Sequence, residues 1–352
     1  VILDISNPQK PMQVGMIDTP GLARGIYVED KYAYVADGEK GLAIIDVSNP
    51  AKPVIIAQPD TNGTAYNVTI YNKYAYIADG NGGLVVIDVS NPTKPVQVGW
   101  YDTYDARSVC IQGDNVYIAD GKNGLVVVNV NKIGKPIRNL SQVGRYYTAG
   151  YAYGVYIQGS YAYVADYYNG LVIIDISNPN NPRQVGMCST AGNAYGVYIQ
   201  GNYAYVANYG NDLVIIDISN PNKPVQIGWY DTYKARGIYV QGSYAYVADE
   251  GNGLVIIDIS NPKNPIRVGG YDTYRAYGVY VQGSYAYVAA GDNGLVIIDI
   301  SNPKSPTQVG RYDTAGYAEG VYIQGSYAYV ADHSNGLVII DISNPKSPTQ
   351  VG

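Results

Sequence analysis

Residues 276–313 read AYGVYVQGSYAYVAAGDNGLVIIDISNPKSPTQVGRYD, and this stretch decides the fold. It divides into four short segments, residues 276–282, 284–289, 294–301 and 306–313, which we label strands A to D. A and B are rich in Tyr and Val, types that suit a pleated surface, and the Q-G-S between them is a tight-hairpin signal. C is apolar on both faces from Leu295 to Ile298, as expected of a strand in a sheet packed between two others. Between C and D, S-N-P-x-x-P removes backbone donors and fixes φ, so the chain must turn. No segment keeps a helical period.

The pattern recurs along the chain. DISNP or a variant begins at Asp4, Asp46, Asp88, Asn129, Asp175, Asp217, Asp258, Asp299 and Asp341, at spacings of 41 to 46 residues. YAYVAD-like segments fall between them at Tyr32, Tyr74, Tyr161, Tyr203, Tyr244, Tyr285 and Tyr327, with NVYIAD at Asn115. Four antiparallel strands in each of eight such intervals predict an all-β fold, an eight-bladed β-propeller of four-stranded blades spanning residues 1–352. One unit departs: after Val128 the chain reads NVNKIGKPIRNLS, longer than its siblings and without SNP, a bulged C-to-D loop.

GLVIIDISNPxxP together with YAYVAD resembles the LVIVD repeat family, over essentially the whole chain and with specific motifs. The resemblance implies a propeller and a place among bacterial and archaeal surface or secreted proteins. It carries no shared catalytic motif. The G-H…W-D pair, the Asp-box and the kelch Gly-Gly of other propellers are missing. Trp100 and Trp229 alone do not make the repeated Trp docking pattern of eight-bladed quinoproteins.

Composition narrows the function. With 23 Lys+Arg against 29 Asp+Glu the formal charge is −6, which gives no electrostatic basis for nucleic-acid binding. Hydrophobic residues at 47% and charged residues at 15% exclude a disordered chain, and no run reaches the roughly 18 apolar residues of a membrane helix. Forty Tyr, no Phe, one His and two Cys suit stacking and hydrogen bonding far better than metal or acid–base chemistry. His333 is the one histidine, so a multi-His metal site is excluded, and no spacing singles out a carboxylate pair. We therefore expect no enzyme activity, no cofactor and no metal. Turns such as Asp37-Gly-Glu-Lys-Gly offer calcium-type ligands but match no D-x-[DN]-x-[DN]-G loop, and read as turn chemistry. The recurring Asp of I-I-D-I-S reads as bonding backbone donors in the SNP turn. Cys110 and Cys188 each replace a repeat Tyr, and read as small buried hydrophobes.

The strand count is uneven. Val1–Ser6 duplicates Leu337–Ser343, giving nine C strands against eight A and eight B. Residues 1–18 hold an N-terminal C and D strand, and residues 337–352 a C-terminal C strand and a truncated D. The N-terminal D strand is expected to complete the blade begun by residues 321–342, leaving one C strand redundant. That strand is frayed, belongs to a longer parent chain, or pairs with an edge of a neighbouring molecule, where a head-to-tail joint would grow a filament. Val1, Ile2, Leu3, Ile5, Leu337, Val338, Ile339 and Ile340 are the assembly candidates. The chain opens at Val1 inside a repeat, and reads as a piece of a longer protein or a processed one.

The D-to-A loops vary around a constant Ala, as in Asp105-Ala-Arg107 and Tyr151-Ala-Tyr153. With strand A innermost, Arg24, Tyr66, Arg107, Tyr153, Tyr195, Arg236, Tyr277 and Glu319 are expected at the channel mouth, suited to a carboxylate, a saccharide or a peptide loop, or as a solvated rim. Asn62, Asn67 and Asn139 lie in N-x-S/T sequons. These readings favour a non-enzymatic extracellular or cell-surface structural or interaction protein, partnered by itself or another surface protein. The alternative is a ligand-binding module using the mouth.

Overall fold

The computed structural model describes residues 2–4, 12–49, 52–130, 140–210, 212–324, 327–332 and 336–341. Among them are 33 strands and no helix. Seven antiparallel sheets have four strands each, in the order A-B-C-D. In the repeat quoted above the strands are Gly278–Gln282, Tyr285–Ala289, Leu295–Asp299 and Thr307–Tyr312, with ladders Ala286↔Ile298, Tyr287↔Ile297 and Val288↔Val296. B and C are buried but for the first Tyr of B and the last Asp of C, since they carry apolar side chains on both faces; A and D are only partly covered.

The chain divides into two compact units, residues 1–60, 236–260 and 266–352 in one, and 61–235 with 261–265 in the other. In the first, one core joins Val35 and Ile45 to Ile297 and Val330, and a second joins Ile256 to Ala286 and Ile298. In the second unit, three cores join neighbouring sheets, through Val86 and Ile118, Val127 and Val164, and Ile173 and Val206. The constant motifs are the seams of these stacks. D strands such as Arg183–Cys188 and Ile266–Tyr271 shift register at their Q/R-V-G, and there the next repeat's S-N-P-x-x-P turn packs on the glycine: a Cβ at Gly186 would overlap the Pro221 carbonyl oxygen, and one at Gly269 that of Pro303. The Asp of I-I-D-I-S accepts the amide of the turn serine, as the sequence predicts, at 2.8 Å for Asp46 and Ser48 and 2.9 Å for Asp217 and Ser219. Those hydrogen bonds, from the serine hydroxyl first and its amide next, hold both carboxyls below the usual range.

The expectation of eight four-stranded blades is corrected by the remaining sheet, which has five strands. The N-terminal D strand, Met12–Ile17, does complete the last repeat, pairing Gly15↔Ile339, Met16↔Val338 and Ile17↔Leu337. Its first half pairs instead with the duplicate C strand, Ile2–Asp4, through Asp4↔Met12, Leu3↔Gln13 and Ile2↔Gly15. Each half repeats the register of an ordinary C–D pair, such as Asp299↔Thr307, Ile298↔Gln308, Ile297↔Gly310, Val296↔Arg311 and Leu295↔Tyr312. Two near-identical C strands thus share one D strand, and they touch in parallel at Ile2↔Ile340. Leu337–Ile340 are therefore interior ladder positions and not a free edge. Val1, Ile5, Asn139, His333 and the truncated D strand lie outside the described residues, as does most of the long C-to-D loop. Cys110 and Cys188 are unbridged, and half-buried where full burial was expected.

Candidate functional site

The variable loops rest on a constant anchor. In seven repeats strand B is followed by a fully buried Asp or Asn, with Ala290 in the eighth, and the Ala of every D-to-A loop, from Ala23 to Ala318, is also fully buried. In five repeats a Thr lies 18 positions before that Asp or Asn and donates to it: Thr19 to Asp37 at 2.6 Å, Thr61 to Asp79 at 2.5 Å, Thr190 to Asn208 and Thr314 to Asp332 at 2.9 Å, and Thr148 to Asp166. All five of these loops read T-x-G-x-A: the Gly21 amide donates to Asp37 at 2.9 Å, and a Cβ at Gly21 or Gly63 would overlap the carbonyl oxygen of Asp37 or Asp79. Burial pushes the Asp37 and Asp166 carboxyls above the usual range, against the hydrogen bonds they accept. Their acceptors are spent on loop closure. Among the described residues no group of three or more His, Cys, Asp or Glu is arranged to hold a metal ion.

Four predicted mouth residues come together in the second unit. The Arg107 guanidinium lies 4.3 Å from the Tyr66 ring centroid and 5.8 Å from that of Tyr153, which packs on Tyr195 at 4.8 Å. Arg107 donates to Asp105 through Nε at 3.0 Å and Nη2 at 2.8 Å, and Tyr151 also donates to that carboxylate. Burial opposes the Arg107 charge, but the Asp105 contacts outweigh it and raise its pKa; burial and then Asp105 push the Tyr151 hydroxyl up to about 12. In the first unit Arg236 donates twice to Glu250, at 3.1 and 2.9 Å, and lies 5.8 Å from the Tyr277 ring. Tyr317 donates to the Tyr277 hydroxyl at 2.5 Å and accepts from Arg275 at 3.1 Å. Arg24 is half-buried, and among the described residues the Glu319 carboxylate has no ion-pair or hydrogen-bond partner.

These pairings change the chemistry. Arg107 and Arg236 face carboxylates of their own chain, so an incoming carboxylate would have to displace Asp105 or Glu250. What the loops present is aromatic. Tyr167 and Tyr209, which sequence reasoning overlooked, pack on Tyr195 at 5.4 and 5.8 Å. Their signal was an exception. The position after the buried Asp or Asn is a positive-φ glycine at Gly38, Gly80 and Gly121, but a side chain at Tyr167, Tyr209 and Glu250. The sequons separate too: Asn62 is exposed in a loop, whereas Asn67 is half-buried in strand Asn67–Tyr71, its Oδ1 accepting from the Val109 amide at 3.4 Å.

Stacked antiparallel sheets of this order define an all-β propeller. The LVIVD repeat family matches residues 1–19, 20–61, 62–103, 105–141, 149–190, 191–232, 234–273, 275–314 and 315–352, and the chain belongs to that family. No curated protein sequence matches it. Among solved structures it is similar to Sqt1 of Saccharomyces cerevisiae (TM-score 0.76, 8% identity, 93% of this chain and 98% of that one). It is similar also to the computationally designed Ika8 protein (TM-score 0.74, 5% identity, 92% and 98%) and to BamB of Moraxella catarrhalis (TM-score 0.71, 15% identity, 93% and 96%). At these identities the likeness is one of fold.

Proposed function

We propose that the chain is a non-enzymatic interaction protein of the cell surface or exterior that self-associates through its terminal strands. The observation that supports this is the shared D strand: Met12–Ile17 is paired half by Ile2–Asp4 and half by Leu337–Ile339, each in the ordinary register. A second copy carries the same C strand, so exchanging it between molecules replaces like with like, the low-cost route to an assembly. The family resemblance is what supports the exterior setting. Light scattering and electron microscopy should find oligomers or filaments that vanish on deletion of residues 1–7. Leu3→Pro, which removes one ladder donor, should weaken them with the circular dichroism unchanged. Monomers at every concentration, or oligomers indifferent to both changes, would overturn the proposal.

A second reading, recognition by the D-to-A loops, is favoured by the Tyr66–Arg107–Tyr153–Tyr195 cluster. Because its charges are internally paired, it suits an uncharged saccharide or a peptide loop better than an acidic ligand.

A further inference from the structure

A second place on the repeat has the character of a binding site, and it lies away from the terminal strands. In the repeat with strands Leu84–Asp88 and Val96–Tyr101, a cleft of ≈ 370 Å³ is lined by Asn62, Asn81, Val85, Gln97, Trp100 and Asp102, with Thr61 and Gly82 beside them. The volume falls within the range of small-molecule sites, roughly 300–1,000 Å³. Trp100 stands opposite Val85 in the ladder, and its side chain is 60% exposed. An indole left in water is apolar area that a flat ligand face would cover.

The cleft is built by the repeat, which supplies an internal control. The equivalent cleft in the repeat of Leu295–Asp299 and Thr307–Tyr312 keeps the Val and the Gln as Val296 and Gln308, but Arg311 replaces the Trp and Tyr274 the Asn. There Asn293 donates to the Thr273 carbonyl at 2.7 Å and Arg311 to the Asn293 carbonyl at 3.1 Å, the Gln308 side chain makes no hydrogen bond to another described residue, and the cleft shrinks to ≈ 180 Å³. The side chains of Asn81, Gln97 and Asp102 make no hydrogen bond to another described residue.

We propose that the Trp100 cleft binds a neutral saccharide, a pyranose whose C–H face covers the indole while its hydroxyls reach Asn81, Gln97 and Asp102. A sugar hydroxyl both donates and accepts, which matches two amides and a carboxylate; the carboxylate disfavours an anion. Two sources offer such a ring: a separate saccharide, or a glycan on Asn62, which lines the same cleft and begins the sequon Asn62-Gly63-Thr64.

The chain has two tryptophans, so Trp229→Phe leaves Trp100 as the single reporter. Titrating this variant, made without glycosylation, with glucose, galactose, mannose, N-acetylglucosamine and their short oligomers should give a saturable emission change for at least one sugar. Asp102→Ala on the same background should weaken that response roughly tenfold, and the Trp100→Phe protein, reporting from Trp229, should show none. The intact mass of native protein, compared with Asn62→Gln, distinguishes an attached glycan from a free ligand. No saturable response to any sugar up to tens of millimolar, a response unaffected by Asp102→Ala, or a response to choline alone would overturn the proposal. None of these outcomes bears on self-association.

Discussion

Two kinds of D-to-A loop sit on one scaffold, and they differ by a single residue. Thr61-Asn-Gly-Thr-Ala65 places its Thr 18 positions before Asp79 and closes with a buried hydroxyl–carboxylate bond. Thr103-Tyr-Asp-Ala106 is one residue shorter, so its Thr lies 17 before Asp120; that carboxylate is satisfied by the amides of Tyr104 and Asp105 at 3.1 and 2.7 Å, and the Thr103 hydroxyl is buried without a partner. The shorter form also turns a large side chain outward, with Tyr104, Tyr233 and Tyr274 all exposed. One deletion therefore exchanges an internal hydrogen bond for an exposed aromatic. The anchor persists because backbone amides can take over from the hydroxyl.

The comparison breaks most visibly at the glycine. Gly63→Val in the long loop drives a side chain into the Asp79 carbonyl and should cost about 3 kcal/mol in urea unfolding. Asp105→Val, at the corresponding place in the short loop, meets no such wall, and should cost less even though it frees Arg107. Next comes the threonine. Thr61→Val removes a donor from a buried carboxylate and should destabilise by about 2 kcal/mol, whereas Thr103→Val removes an unpaired hydroxyl and should be neutral or stabilising by up to about 1 kcal/mol. Equal losses at both positions would mean that the two loop types are not distinguished by this bond.

The smallest effect lies in pH. Asp166 is held above its unfolded value, so its contribution is fully present below about pH 4 and is lost as pH rises through the folded value. Asp217 is held below, so its contribution is present above about pH 4 and is lost as pH falls. The stability of Asp166→Asn relative to the parent should therefore rise with pH between about 3 and 7, and that of Asp217→Asn should fall. Denaturant midpoints across that range read both slopes. Parallel slopes would mean that burial of the strand-B carboxylates carries no electrostatic penalty.

Much of this was legible in the one-dimensional text. Tyr- and Val-rich runs, an apolar run, the hairpin Q-G-S and paired prolines placed strands A to D of the quoted repeat to within two residues, because those signals act over a few neighbours. The cluster residues Tyr66, Arg107, Tyr153 and Tyr195 were legible as variable positions beside a constant Ala, and that Ala is constant because it is fully buried. Their charge state was not legible: Arg107 reads as a free fork until Asp105 is seen to hold it, and Glu250 reaches Arg236 from the B-to-C turn, 14 residues away in sequence.

The sequence by itself determined a stack of four-stranded antiparallel sheets, the seams between them, and the duplication of one C strand. Each follows from local chemistry repeated at a fixed period. Tertiary structure alone decided which C strand takes which half of Met12–Ile17 and which arginines are already paired. It also decided that the Asn81, Gln97 and Asp102 side chains beside Trp100 make no hydrogen bond to another described residue, while Arg311 donates to the Asn293 carbonyl. Identical strands offer identical ladders, and a polar side chain's partner is set by what the fold brings within about 3 Å of it.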